Sequence, residues 1–229
     1  MMRLSGPRQA RMNEVSGRNG VLAGDMPAAW TFFRQWLKNP LAMASLSPSG
    51  RQLTQAMIAQ LPARAQRVVE LGAGTGVFTQ ALVEYGIAPR DLLVVELNDE
   101  LHRLLQRRFP GVSIAHGDAC NLLEIMQRSG FAHPACVDAV VSGLGFLAMP
   151  RGVQRAILEQ VFAALVPGRP LIQFTYGPKN PLPRELLDDL GLGVRRAGLA
   201  WRNVPPAVVY VYTRSRSRPL PGAARANAA

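Results

Sequence analysis

Between Arg67 and Tyr212 short apolar, β-branched runs alternate with helical ones, an order that few architectures accept. Strands are expected at Arg67–Leu71, Asp91–Leu97, Val112–Ala115, Val137–Ser142, Leu171–Tyr176 and Ala207–Tyr212. Asp91–Leu97 is nearly all apolar, as strands covered on both faces are. A helix opening near Ser49 runs through Gln52–Leu61 and stops at Pro62. Further helices are expected at Phe78–Tyr85, from an Asn98 cap to Phe109, at Asn121–Gln127 and at Val153–Leu165. Residues 178–205 read as Pro-rich loops around a short helix at Arg184–Leu190. The order predicts an α/β fold with a mostly parallel sheet and right-handed crossovers.

The 229 residues are 48% apolar and 18% charged, which provides a sizeable core and excludes wholesale disorder. The net charge of +11 favours an anionic partner, but much of it sits at the ends. Residues 1–28 carry four Arg against two acids and read as a flexible basic leader. Residues 213–229 carry four Arg and no acid and read as a disordered basic tail. The domain proper is expected over 29–212. It opens with an amphipathic helix at Ala29–Asn39, where Trp30, Phe33, Trp36 and Leu37 alternate with Arg34 and Lys38. That helix either docks on the core or lies in an anionic membrane interface. Cys120 and Cys136 read as reduced thiols, and the three histidines lack metal-ligand spacing. The first residues lack an apolar signal core, and no apolar run reaches about 18 residues. A cytoplasmic or peripheral protein is expected.

The most informative stretch is Val68-Val69-Glu70-Leu71-Gly72-Ala73-Gly74-Thr75-Gly76, a strand entering a helix through three glycines. Such a turn lets a ligand approach the backbone closely. Two details count against a dinucleotide. The spacing is GxGxG, with Val77 where the dinucleotide pattern wants a third small residue. Glu70 also stands at the strand end, where it would repel a pyrophosphate by about 4 kcal/mol at ~4 Å and an effective dielectric near 20. A cationic nucleoside such as S-adenosylmethionine suits it better. Glu96 ends the second strand, twenty residues after Gly76, where an acid can accept both ribose hydroxyls. Asp118, in His116-Gly117-Asp118-Ala119, either accepts the adenine amine or makes an ordinary loop turn. Leu97 packs on the adenine or joins the core.

These motifs, with the strand ending Val140-Val141-Ser142-Gly143-Leu144, resemble the successive motifs of class I S-adenosylmethionine-dependent methyltransferases over about residues 45–212. The resemblance implies a Rossmann-like, seven-stranded sheet whose last strand is antiparallel. It also implies that Gly72, Gly74, Ala119 and Ser142 line the cofactor beside Glu70, Glu96, Leu97 and Asp118.

A narrower resemblance lies in Ser142-Gly143-Leu144, Gln173-Phe174-Thr175-Tyr176-Gly177-Pro178 and Asn203-Val204-Pro205-Pro206-Ala207, with Asn39-Pro40 and Ser47-Pro48-Ser49. These are similar to the bacterial phospholipid N-methyltransferases, which methylate phosphatidylethanolamine toward phosphatidylcholine. The resemblance implies a phospholipid substrate and an anionic membrane surface as partners, on the inner face of the membrane. Gly145 departs from that family's usual proline, which bears on the acceptor loop and on the methyl count. Tyr176 is the candidate to orient the amine; Arg184 or Lys179 can meet the lipid phosphate, and His116 is a lesser candidate base. The competing resemblance is to rRNA adenine dimethyltransferases. Their Asn-Leu-Pro-Tyr-like loop is absent, and only Phe146 is placed to stack on a base. A basic nucleotide- or RNA-binding module with a degenerate site is the non-enzymatic alternative, and the intact Glu70 and Glu96 argue against it.

Overall fold

The structure is a computed structural model that describes residues 48–131, 135–177, 179–200 and 206–214. The expected leader, the Ala29–Asn39 helix, most of the tail and Asn203-Val204-Pro205 lie outside these residues. Seven strands form one sheet: β1 (Val68–Leu71), β2 (Leu92–Glu96), β3 (Ser113–His116), β4 (Ala139–Ser142), β5 (Leu171–Tyr176), β6 (Leu192–Ala200) and β7 (Ala207–Arg214). Their order is β3-β2-β1-β4-β5-β7-β6. β1 to β5 pair in parallel, while β7 pairs antiparallel with both β5 and β6, so β7 alone is reversed. This is the mostly parallel, Rossmann-like sheet that the motifs implied.

Among the described residues six α-helices cover the sheet: α1 (Pro48–Ile58), α2 (Val77–Tyr85), α3 (Asp99–Arg108), α4 (Leu122–Arg128), α5 (Arg151–Ala164) and α6 (Arg184–Leu190). Strand pleating sends alternate residues to opposite faces. Val69 and Leu71 meet Ile125, Leu158 and Leu187 on one face. Val68 and Val94 meet Met57, Leu82 and Leu105 on the other. Both faces are therefore dry, and each fully buried Leu, Val or Met contributes about 1.5–3 kcal/mol. None of the helices described is long and apolar enough to cross a membrane.

Asn98 caps α3 as expected, its side-chain oxygen accepting from the N–H groups of Glu100 and Leu101, each at 3.0 Å. Asp99 and Glu100 in the first turn, and Arg107 and Arg108 in the last, complement the helix dipole. Two expectations need correction. Residues 192–200, read as loop, form β6, an edge strand whose middle is exposed and which is bulged between Arg196 and Gly198. Its two glycines and two arginines hide any alternation, and charge on an edge deters further strand pairing. Thr213 and Arg214, assigned to the tail, are the last residues of β7, where they pair with Gly193 and Leu192.

Candidate active site

The carboxyl ends of β3, β2, β1, β4 and β5 carry, in that spatial order, Asp118–Ala119, Glu96–Leu97, Glu70–Gly74, Ser142 and Tyr176. In an open parallel sheet this rim is where ligands bind. The glycine turn is fixed at several points. Gly72, Gly74 and Gly76 all have positive φ, at 68°, 59° and 85°. The Gly72 N–H donates to the Val95 carbonyl at 2.9 Å, tying the turn to β2. Arg108 donates from Nη1 to the Thr75 carbonyl at 2.8 Å, a clamp that sequence reading missed. A Cβ at Gly76 would collide with Phe109 and Leu105, whereas a Cβ at Gly74 would meet nothing within 4 Å. Gly74 therefore borders open space that a ligand can occupy.

Glu96 ends β2, next to the glycine turn on this rim. Its Oε2 accepts from the Gly74 N–H and its Oε1 from the Asn98 N–H, both at 2.9 Å. Each carboxylate oxygen keeps a second lone pair for a ligand hydroxyl. Leu97 is 64% exposed and so stays out of the core. His116 meets the Leu97 carbonyl through Nε2 at 2.8 Å and lies 3.3 Å from Asp99. It steadies the β2 end and stands well away from β4 and β5, which does not suit a base acting on the acceptor. Asp118 makes the local turn, accepting from the Cys120 N–H at 2.9 Å, and Ala119 beside it is buried.

Glu70 does not stand on the open face of the turn. None of its side chain is exposed, because it points back under α2, where Thr79 donates its hydroxyl to Oε2 at 2.6 Å. Oε1 has no donor among the described residues. Burial is the chief cause that pushes the carboxyl up to about 8, and the nearby Glu96 adds to it. Glu70 thus lies behind the glycine turn and does not line its open side.

The far side of the rim is built around the loop after β4. The Gly143 N–H donates to the Leu71 carbonyl at 2.8 Å, and the Ser142 hydroxyl accepts from the Leu144 N–H at 3.2 Å. Phe146 is only 1% exposed, so it has no face to offer a base. Tyr176 is half-buried at the end of β5, edge-on to Phe174 with centroids 5.6 Å apart. Burial raises its hydroxyl to about 12. The arrangement provides a carboxylate, an exposed apolar platform and a tight glycine turn on one side, with a tyrosine on the other.

A family model for a methyltransferase domain matches residues 68–168. Among solved structures, the N-methyltransferase NodS from Bradyrhizobium japonicum WM9, in complex with S-adenosyl-L-homocysteine, aligns with a TM-score of 0.56 at 13% identity, covering 81% of this chain and 98% of that one. Magnesium protoporphyrin IX methyltransferase from Synechocystis PCC 6803, with bound S-adenosylmethionine, aligns with a TM-score of 0.54 at 14% identity, covering 82% and 93%. The chain belongs to the class I S-adenosylmethionine-dependent methyltransferases. Within that class it is similar to the ornithine lipid N-methyltransferase of Singulisphaera acidiphila, with 31% identity over 185 residues, 78% of this chain and 92% of that one.

The residues present fit the cofactor. Glu96 offers acceptors for two hydroxyls, Gly74 borders empty space, and Leu97 presents an uncovered apolar surface. The closeness of the two loops carries a prediction. A Cβ at Gly143 would sit 2.6 Å from the Gly72 carbonyl oxygen, a backbone atom with little room to move. Gly143→Ala is expected to destabilise the fold by about 1–3 kcal/mol, as overpacking does, and to weaken S-adenosylhomocysteine binding in the same protein. Urea denaturation and calorimetric titration check this; wild-type values in both would disprove the close contact.

Proposed function

We propose that the chain N-methylates the amine head group of a membrane lipid at the membrane surface, with phosphatidylethanolamine as the phospholipid case. The observation that carries this reading is the 31% identity to a lipid N-methyltransferase, which extends over 92% of that relative and so beyond the cofactor half. The burial of Phe146 speaks against the RNA reading, since it removes the stacking group that reading needs.

When bound, S-adenosylmethionine supplies an electrophilic methyl group on a sulfonium. Glu96 holds the ribose hydroxyls, Asp118 accepts from the adenine amine, and Leu97 packs on the adenine face. Gly72, Gly74, Ala119 and Ser142 form the walls. Tyr176 receives the acceptor amine, which arrives as an ammonium and must lose a proton before it attacks. The Tyr176 hydroxyl keeps its own proton at neutral pH, so it orients the amine through its oxygen or ring face and leaves the proton to water. Positioning of this kind provides most of the rate in a displacement that needs no covalent help from the protein. Lys179, three residues past β5, and Arg184, the first residue of α6, are both exposed and can meet the lipid phosphate.

Incubation with radiolabelled S-adenosylmethionine tests the reading, with three acceptors in separate arms. These are vesicles containing phosphatidylethanolamine, vesicles containing ornithine lipid, and rRNA. Label is expected in a lipid arm and not in RNA. Label in RNA alone would refute the proposal, and the two lipid arms separate a phospholipid from an aminolipid acceptor.

A further inference from the structure

The loop after β4 is held by two side-chain amides that the cofactor and acceptor assignments leave unused. The first is Gln173, set among Leu171, Ile172 and Phe174 in the apolar first part of β5 and 1% exposed. It lies beside Ser142 in the parallel register of β4 and β5. An amide in such a place costs free energy unless it is hydrogen-bonded, and an apolar side chain would serve the core as well. Gln173 Nε2 donates to the Leu144 carbonyl at 2.9 Å and also to the Phe174 carbonyl, while Oε1 has no donor among the described residues. The second amide is Gln154 on α5, whose Nε2 donates to the carbonyls of Phe146 at 2.7 Å and Met149 at 3.2 Å.

Between these hooks the backbone makes a tight reversal. The Leu144 carbonyl accepts from the Phe146 N–H at 3.0 Å, and Gly145 at the centre has φ −80° and ψ 62°. That is an inverse γ-turn. The same carbonyl therefore carries the bond that closes the turn and the bond from Gln173. Glycine at the centre holds such a turn weakly, because it has the most backbone freedom to lose. The turn matters because of what it rests on. Leu144 Cδ2 lies 2.8 Å from the position a Cβ at Gly72 would take, so Leu144 roofs the glycine turn.

We propose that Gln173 is a positioning residue for methyl transfer: its amide fixes the Leu144 carbonyl and so holds the 144–146 turn closed between the cofactor turn and the acceptor. This deepens the proposed function, since it rests on the loop after β4 facing the acceptor amine. The geometry also provides its own rescue. The Gly145 N–H donates to nothing among the described residues, and its φ falls within the range of proline. A proline at this position would hold φ covalently and make the Gln173 bond dispensable.

The test uses the full chain. Gln173→Met keeps the length and removes the donor. It is expected to lower kcat on the lipid vesicles about tenfold, the worth of one buried hydrogen bond in the reacting geometry. The S-adenosylhomocysteine dissociation constant is expected to move by less than about threefold, and amide exchange across Leu144–Ala148 to quicken. Adding Gly145→Pro should restore both kcat and slow exchange, which a merely structural role for Gln173 would not allow. Unchanged kcat and exchange in Gln173→Met, or no recovery with Gly145→Pro, would overturn the proposal. If Gln173→Met does not fold, Gln173→Asn serves in its place, since it keeps a buried amide too short to reach Leu144. Exchange needs no acceptor, so it decides the loop even if the wild type labels no lipid, a result that would sink the acceptor reading alone.

Discussion

Glu96→Ala is expected to weaken S-adenosylmethionine binding by at least about 2 kcal/mol, roughly thirtyfold, from the loss of two charge-assisted hydrogen bonds to the ribose. The structure raises that floor. Glu96 also accepts the Gly74 and Asn98 N–H groups, so its removal releases the glycine turn and the start of α3 together. Gly74 is the turn residue that borders the open space, and its amide would be left searching for a partner where the ligand sits. Glu96→Gln retains the shape and one acceptor, so it should fall between wild type and alanine. Isothermal titration across the three proteins checks the order. Equal affinities would remove Glu96 from the ribose.

Glu70 gives the second large effect, on stability. Its carboxyl is raised from 4.5 to about 8 by burial. Between those pH values it is neutral in the folded chain and ionised in the unfolded one. The unfolded state therefore binds fewer protons, and stability falls as pH rises, by about 1.4 kcal/mol per unit. The loss is absent below the lower value and complete above the upper one. Glu70→Gln copies the neutral form: it can still accept from Thr79, and it places one unpaired polar atom where Oε1 stands. The variant should show a flatter profile and gain stability over wild type as pH goes from 6 to 8, by about 3 kcal/mol. Melting curves at pH 6 and pH 9 check this; parallel profiles would show that Glu70 is ionised in the empty fold. A bound cation draws the carboxyl down again, so cofactor affinity of the wild type should rise with pH in the same window while that of Glu70→Gln stays level.

The two carboxylates also show what a linear reading reaches. The strand runs, the glycine turn, the Asn98 cap and the rim position of Glu96 all follow from local pattern, because each depends on neighbours within a few residues. The orientation of Glu70 does not. Whether it faces a ligand or α2 is decided by Thr79, which lies across the turn and reads in sequence as one more helix residue. Leu97 was ambiguous for the same reason: its exposure depends on where β3 stops and on His116 fixing the Leu97 carbonyl. Gln173 acts on a carbonyl 29 residues away. A lone amide inside an apolar run was the available signal for it. β6 was missed because an exposed edge has no burial pattern to reveal it.

The reversal of β7 decides where the chain leaves the domain. Ala207 pairs with Tyr176 at the rim that carries the site, whereas Arg214 pairs with Leu192 at the opposite rim. Arg214, the last described residue of β7, accordingly stands at the base of the sheet, a full strand length from the candidate site. A fluorophore placed on Arg214 would therefore report from the rim opposite the candidate site.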